Sequence, residues 1–309
     1  METVRMKRAL VTGATGFIGS RLVGHLLEDG WRVGALGRAQ SLEAMPRGVG
    51  RIHYRGDTEG VVEALQGFRP DAVFHLASQF VVEHRPEQVE ELIASNVLLG
   101  TQLLEGMKAS GCTVLVNAGT AWQHLREREP WDGAGYRPVN LYAATKQAFE
   151  DIAAYYVETA GLRAVMLQLY DTYGPGDRRR KLVRVLLEAA ATGTKLKMSA
   201  GEHLLDMVHV DDVCRAFVQA AAVAESMTLP GMQVYAVSGG ERRSLRGMVE
   251  AVEEATGQKL EVEYGAQAYR TREVMHPWEG PQLPGWRPLI RLVEGLQAMA
   301  GSGADAQIQ

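Results

Sequence analysis

Several things are scarce in this 309-residue chain. Cysteine occurs only twice, at Cys112 and Cys214, so no disulfide framework can organise the fold. Both sit in apolar flanks and read as reduced packing residues of a cytoplasmic protein. No run approaches the ~20 consecutive apolar residues of a bilayer span, and residues 1–6 are charged with no apolar signal region. Neither sign of charge dominates: 33 Lys and Arg against 37 Asp and Glu leave a net charge of −4. That excludes a global field drawing the chain to nucleic acid or to an anionic membrane. His75, His203 and His209 lack paired ligand spacing, which argues against a metal centre. Repeats and low-complexity linkers are missing too, and only the tail after Met299 reads as frayed. What is left is a cytoplasmic α/β-sized chain, one large domain or two modest ones.

Glycine is plentiful, 34 residues, and its placement matters. Ala9-Leu10-Val11 is a short apolar run that reads as a buried parallel strand. It breaks at Gly13-Ala14-Thr15-Gly16-Phe17-Ile18-Gly19, after which Phe17, Ile18, Leu22 and Leu26 fall at helical spacing. Strand, Gly-x-x-Gly-x-x-Gly, helix is the order of a dinucleotide fingerprint. Gly13 makes the tight turn, Gly16 admits a pyrophosphate, and Gly19 lets the helix pack on the strand. The helix N-terminus adds free N–H groups and partial positive charge for the phosphates.

Strand and helix patterns then alternate. Strands are expected at residues 32–37, 51–54, 72–77, 114–117 and 164–169, with helices over 20–29, 59–67, 86–110 and 141–159. Alternation of this kind builds a doubly wound parallel sheet of Rossmann type, with ligands at the carboxyl ends of the strands. Beyond Tyr170 the pattern loosens. A basic loop (177–181) leads to a helix over 182–192, a strand–helix pair spans 207–222, another strand covers 233–237, and two helices follow residue 240. The expected organisation is a dinucleotide-binding domain over 1–168 and a smaller, partly interleaved C-terminal substrate domain over 169–309. Segments near 207–222 and 233–237 return to the first domain.

At the end of the second strand, Asp or Glu would suit a free ribose 2′-hydroxyl and Arg a 2′-phosphate. The strand ends Leu36-Gly37-Arg38, with no carboxylate until Glu43, so Arg38 favours NADP(H) over NAD(H). Asp57, after the third strand, either accepts from the adenine amino group or caps the next helix.

Tyr142 and Lys146 are spaced i and i+4, which puts them on one helix face. A phenol with a pKa near ~10 exchanges protons poorly at neutral pH. An ammonium one turn away is expected to lower that pKa and to bind the nicotinamide ribose.

With these residues in view the chain resembles the extended short-chain dehydrogenase/reductase family of sugar-nucleotide enzymes nearly end to end. The resemblance rests on Thr12 to Gly19, His75-Leu76-Ala77-Ser78, Asn96-Val97-Leu98-Leu99-Gly100-Thr101, Tyr173-Gly174-Pro175, Val208 to Asp212 and Pro284-Gly285-Trp286-Arg287-Pro288. Three stretches (117–124, 169–174 and 201–206) are most similar to 4-keto-sugar reductases of the CDP-abequose/CDP-paratose synthase type. The resemblance implies a nucleotide-sugar substrate and a homodimer formed by two long helices as a four-helix bundle. It also implies that Thr15, Phe17, Ile18, Leu76, Ala77, Ser78, Asn96, Tyr170 and Thr172 join the cofactor site.

Departures from the family pattern sharpen the reading. The family's catalytic Ser or Thr closes the fifth strand, and alignment places Gly119 there; Thr120 is the expected hydroxyl, reached through a small shift or bulge. Dehydratases of the family follow that threonine with Asp-Glu, whereas Ala121 and Trp122 stand here and neither can transfer a proton. Leu205 replaces an Arg that grips the diphosphate in many relatives, leaving Arg178, Arg179, Lys181 and Arg272 as candidates to supply the charge. Asp171 stands where relatives carry Asn, and Trp122 adjoins Thr120; both are candidate substrate contacts. Asp211 and Asp212 read as caps of the following helix. The expected activity is NADPH-dependent reduction of the C4 ketone of a CDP- or dTDP-activated 4-keto deoxyhexose. The rivals are a sugar-nucleotide 4-epimerase and a non-catalytic NADP-binding regulator.

Overall fold

A computed structural model of the protein describes residues 5–125 and 136–305. In chain order it contains β1 (Arg8–Thr12), α1 (Phe17–Glu28), β2 (Arg32–Gly37), α2 (Ala39–Leu42), β3 (Gly50–His53), α3 (Thr58–Phe68), β4 (Ala72–His75), α4 (Val89–Ile93), α5 (Leu99–Ser110), β5 (Val114–Thr120) and α6 (Leu141–Ala160). The second half adds β6 (Arg163–Leu169), β7 (Asp171–Tyr173), α7 (Leu182–Thr192), β8 (Leu196–Met198), β9 (Leu204–His209), α8 (Val210–Ser226), β10 (Gly231–Val237), β11 (Arg242–Ser244), α9 (Leu245–Thr256), β12 (Val262–Tyr264) and α10 (Leu292–Asp305).

Strands β3-β2-β1-β4-β5-β6-β10 form one sheet, in that order, and every pairing in it is parallel. Parallel strands are covered on both faces, which is why β1 reads as an unbroken apolar run. Ala9 and Val11 face the core shared with α1 and α8, while Leu10 faces the one shared with α3, α5 and α6. The chain reverses its strand order around β1, with β2 on one side and β4 on the other, and such a switch point opens a crevice at the strand ends. A third core gathers Tyr173, Leu186, Met248, Val252 and Leu296 from β7, α7, α9 and α10. Two small sheets, β7-β9-β11 and β8-β12, accompany it. From the second half, α8 packs on the large sheet and β10 pairs with β6 from Gly231↔Arg163 to Val237↔Leu169.

Several boundaries differ from the sequence pattern. Residues 86–110 are not one helix: a 3₁₀ turn (Pro86–Gln88) and α4 lead into a π turn (Ala94–Leu98) before α5. The π turn presents Asn96 inward, 1% exposed, where its Nδ2 donates to Thr145 Oγ1 at 2.9 Å and to the Gln79 carbonyl at 3.1 Å. Strand β4 stops at His75 because the amides of Leu76 and Ala77 turn onto Thr12 Oγ1, each at 3.2 Å. The cap of α8 is His209, whose Nδ1 accepts from the Asp211 amide at 3.2 Å, rather than the two aspartates. Asp212 instead reaches across to the C-terminal segment, accepting from Leu289 N at 2.8 Å and Ile290 N at 3.1 Å. Helix α10 continues to Asp305, past the point where the tail was expected to fray, and residues 306–309 lie outside the described ones.

Candidate active site

A cleft of about 270 Å³ opens at the carboxyl ends of β1, β4, β5 and β6. Its floor is the turn between β1 and α1. Gly13 has φ +66°, and a methyl group there would lie 2.7 Å from the Ala77 amide nitrogen. At Gly19 a methyl would approach the Gly13 carbonyl oxygen to 2.1 Å. The three glycines thus let strand, turn and helix touch through backbone alone, leaving the helix N-terminus open to an anion. Gly16 is exposed and caps α1 with no side-chain hydrogen bond.

The far wall comes from β5 and α6. Asn140 caps α6, its side chain accepting from Ala143 N at 2.9 Å. This fixes the first turn so that Tyr142 and Lys146, 9% and 2% exposed, both face the cleft. Strand β5 pairs in continuous register with β6 through Thr120↔Leu169. Of the small shift or bulge expected there, no bulge is formed: Thr120 reaches the cleft at its in-register position. A side chain at Gly119 would have to displace the ends of Gln168 and Glu150, since a methyl would meet Gln168 Oε1 at 2.7 Å and Glu150 Oε1 at 2.9 Å. Thr120 starts a 3₁₀ turn (Ala121–Gln123), its Oγ1 accepting from Trp122 N at 3.3 Å and its amide donating to Gln123 Oε1 at 2.9 Å.

Electrostatics correct one expectation. Tyr142 is pushed up to about 12, not down: burial is the largest cause, the Ser78 hydroxyl and Arg179 pull it lower, and Asp171 raises it further. The phenol is therefore held protonated near neutral pH. Burial lowers Lys146 to about 8, opposed by the Glu150 carboxylate.

Among the sequence candidates, the cleft gathers Gly13, Gly16, Phe17, Ile18, Gly19, Leu76, Ser78, Thr120, Trp122, Tyr142, Lys146, Tyr170, Asp171, Thr172, Arg179 and Lys181. The basic loop is folded by Asp177, which accepts from the Arg179 amide at 3.1 Å and its guanidinium at 2.7 Å. This sets Arg179 over the Phe17 ring, 4.8 Å from its centroid. Lys181 pairs with Asp171 at 3.3 Å, so that carboxylate faces the cleft already neutralised. Tyr170 presents its ring only, its hydroxyl donating to the Trp278 carbonyl.

Other candidates stand outside that lining. Thr15 is exposed on the loop. Ala77 and Asn96 support the wall from behind, through Thr12 and Thr145 respectively. Arg38 is exposed at the end of β2, and Asp57 caps α3, Oδ1 accepting from Gly60 N at 2.6 Å. Arg178 is exposed beside the loop. Arg272 turns away, donating to the carbonyls of Pro138 and Val139 at 2.7 and 2.9 Å.

Phe80 was not singled out in the sequence. It lines the cleft, edge-on to Tyr142 with ring centroids 5.0 Å apart and beside Trp122 at 5.7 Å. An aromatic just past the β4 turn, at a strand's carboxyl end, was the available signal. Among the described residues no group of three His, Cys, Asp or Glu could hold a metal ion, and no helix is long and apolar enough to cross a membrane.

His75, behind the cleft, gives a pH prediction. Its Nδ1 lies 2.7 Å from Thr12 Oγ1, and burial, with a smaller push from Lys146, drives its imidazole down to about 3. Between that value and the unfolded value near ~6.5, the unfolded chain binds the extra proton, so stability falls as pH falls through this window and is unaffected above it. His75→Gln is expected to remove about 1.4 kcal/mol per pH unit of that slope near pH 5. Urea unfolding at pH 5 and pH 7 measures it.

The chain's residues 9–235 match the model of the NAD dependent epimerase/dehydratase family. The chain belongs to that family. It is 29% identical over 308 residues to a UDP-glucose 4-epimerase of Mycolicibacterium smegmatis, covering 94% of this chain and 96% of that one. To a CDP-abequose synthase of Yersinia pseudotuberculosis it is 27% identical over 211 residues, 68% of this chain and 72% of the other. Among solved structures it superposes on MoeE5 in complex with UDP-glucose and NAD with a TM-score of 0.81 and 28% identity, over 97% of this chain and 99% of that one. Its seven-stranded parallel sheet flanked by helices is thus the family's Rossmann-type architecture.

Proposed function

We propose that the protein is a cytoplasmic NADPH-dependent reductase of the C4 ketone of a nucleotide-activated (CDP- or dTDP-) 4-keto deoxyhexose. The observation that carries this is a protonated, buried Tyr142 in one cleft with Lys146 and Thr120, followed in sequence by Ala121 and Trp122 rather than by a second acid–base pair. A phenol kept protonated suits a proton donor, and two side chains unable to move protons leave dehydration without a catalyst.

The backbone cradle of Gly13, Gly16 and Gly19 fits a dinucleotide, since any Cβ at Gly13 or Gly19 would fill it. Arg38 would hold the 2′-phosphate, Asp57 the adenine side, and Lys146 the nicotinamide ribose. When bound, the reduced cofactor supplies the hydride. Tyr142 then gives its proton to the oxygen that was the C4 carbonyl, and Thr120 holds that oxygen beforehand. Each such positioned donor lowers the barrier by about 3 kcal/mol. Arg179 and Lys181 face the cleft as the cations for the substrate diphosphate, with Trp122 and Phe80 against the sugar. Val89, Ile93, Leu98 and Tyr155 are 36%, 44%, 46% and 60% exposed along α4, the π turn and α6; a second copy of the chain is the occupant proposed for them. The division at residues 168/169 into cofactor and substrate domains belongs to the same proposal.

Net consumption of NADPH with substrate separates this from an NAD-retaining epimerase, the reading favoured by the near full-length likeness to a UDP-glucose 4-epimerase, and Arg38 bears on the cofactor alone. Arg38→Ala is expected to raise KM for NADPH about tenfold to a hundredfold, as the loss of a charged hydrogen-bond partner implies. KM for NADH should stay within about threefold by the same reasoning. Steady-state kinetics with both cofactors decide the cofactor preference. A non-catalytic regulator would bind NADPH and turn over no ketosugar.

A further inference from the structure

Glu150 lies one helical turn beyond Lys146 on α6, and its side chain is as deeply buried, at 0% exposed against 2%. Burying a carboxylate costs several kcal/mol unless it is paired and hydrogen-bonded. Among the described residues its hydrogen bonds come from neutral groups: Gln168 Nε2 donates to Oε1 at 2.8 Å and the Tyr136 hydroxyl to Oε2 at 3.3 Å. The Gln123 amide adds a third. None of these neutralises the charge. The room for this arrangement is made by Gly119, where a methyl would run into both Gln168 and Glu150.

We propose that the buried carboxylate of Glu150, one turn from Lys146 on the same helix, is the positioning residue whose charge favours the Lys146 ammonium, with Gly119 and Gln168 supplying the space and the hydrogen bond it needs. The inference rests on the reading of Lys146 given above.

Among the described residues, the other groups packed around the pair leave Glu150 as the counter-charge. From β4 comes His75, which burial holds neutral at that depth. From β5 come Asn117 and Gly119, from β6 Gln168, all uncharged. On α5, Glu105 is engaged further along, accepting from the Tyr156 hydroxyl at 2.5 Å. Glu90 and Glu91 of α4 are exposed. On α6 itself Asp151 accepts from Gln147 Nε2 at 2.8 Å. Burial alone pulls Lys146 down toward neutrality and Glu150 pushes it back; burial likewise raises Glu150 to about 7, and Lys146 counters that. Each member thus opposes the other's discharge, so removing the Glu150 charge lets Lys146 lose its proton at a lower pH.

The test is competitive acetylation of Lys146 by acetic anhydride between pH 6 and 10, read by peptide mass in the intact protein. Only the neutral amine reacts, so the midpoint reports the amine's own titration without any substrate. Glu150→Gln removes the charge at constant size. Gln168→Leu retains the carboxylate but removes its 2.8 Å donor, and keeps the question answerable if the first variant does not fold. Both are expected to lower the midpoint, Glu150→Gln by about one pH unit or more. The alkaline limb of kcat/KM should move in step, whereas a merely structural loss would depress activity equally at all pH values. An unmoved midpoint in a folded variant overturns the proposal. A moved midpoint with no ketosugar turnover in the wild type would leave the Glu150 coupling standing and sink the proposed reaction instead.

Discussion

Replacing Tyr142 by Phe is expected to lower kcat about a thousandfold, the scale on which a positioned proton donor acts. The ring is packed edge-on against Phe80 at 5.0 Å, and Phe keeps that contact, so the fold should survive. Nothing in the Gly13–Gly19 turn depends on the hydroxyl. Cofactor affinity, measured by titration of protein fluorescence with NADPH, should therefore change by no more than about threefold, less than one hydrogen bond's worth. The dissociation of the two effects is the point. Because the phenol sits near 12 by burial, the wild-type enzyme should also show no loss of rate from Tyr142 ionisation below about pH 10; the alkaline limb belongs to Lys146. Parallel loss of binding and turnover would mean that Tyr142 shapes the cofactor site and does not donate a proton.

The second large effect lies in the backbone. Gly19→Ala places a methyl 2.1 Å from the Gly13 carbonyl oxygen and 2.8 Å from its carbon. Neither atom belongs to a flexible side chain, so α1 must lift off β1. Overpacking of this sort costs about 3 kcal/mol or more when backbone must move. Loss of NADPH binding should accompany it, because the same shift moves the helix N-terminus. Gly24, five residues on in the same helix, is the internal control: nothing lies within 4 Å of a methyl there. Gly24→Ala should stabilise by about 0.5–1 kcal/mol through helix propensity alone. Thermal unfolding of the two variants, with and without NADPH, reads both signs in one experiment.

Residues with local consequences were legible in the sequence. The β1–Gly–α1 unit follows from apolar runs changing period from strand to helix. The Tyr142–Lys146 pairing follows from helical spacing. What was hidden depends on partners distant in sequence. The π turn in residues 94–98 is invisible because the apolar pattern on either side stays helical; only the inward hydrogen bonds of Asn96 to Gln79 and Thr145 require it. Alignment suggested a small shift or a bulge at Gly119, but the space beside it is filled by the side chains of Glu150 and Gln168, 31 and 49 residues on. The phenol's acidity was misjudged for the same reason. An ammonium one turn away is readable from spacing, whereas the burial that outweighs it is contributed by several strands and loops. Arg272 looked like a free cation, and the carbonyls that bind it belong to residues 138 and 139.

The central claim is that a hydride passes from the reduced cofactor to C4 of the substrate while Tyr142 supplies the proton. NADPH carrying deuterium at the transferable position, incubated with a CDP- or dTDP-4-keto-6-deoxyhexose, tests it directly by mass spectrometry of the product. The account predicts one deuterium at C4 of each product molecule and an equal quantity of NADP⁺. A product formed without label at C4 and without net oxidation of NADPH would contradict it.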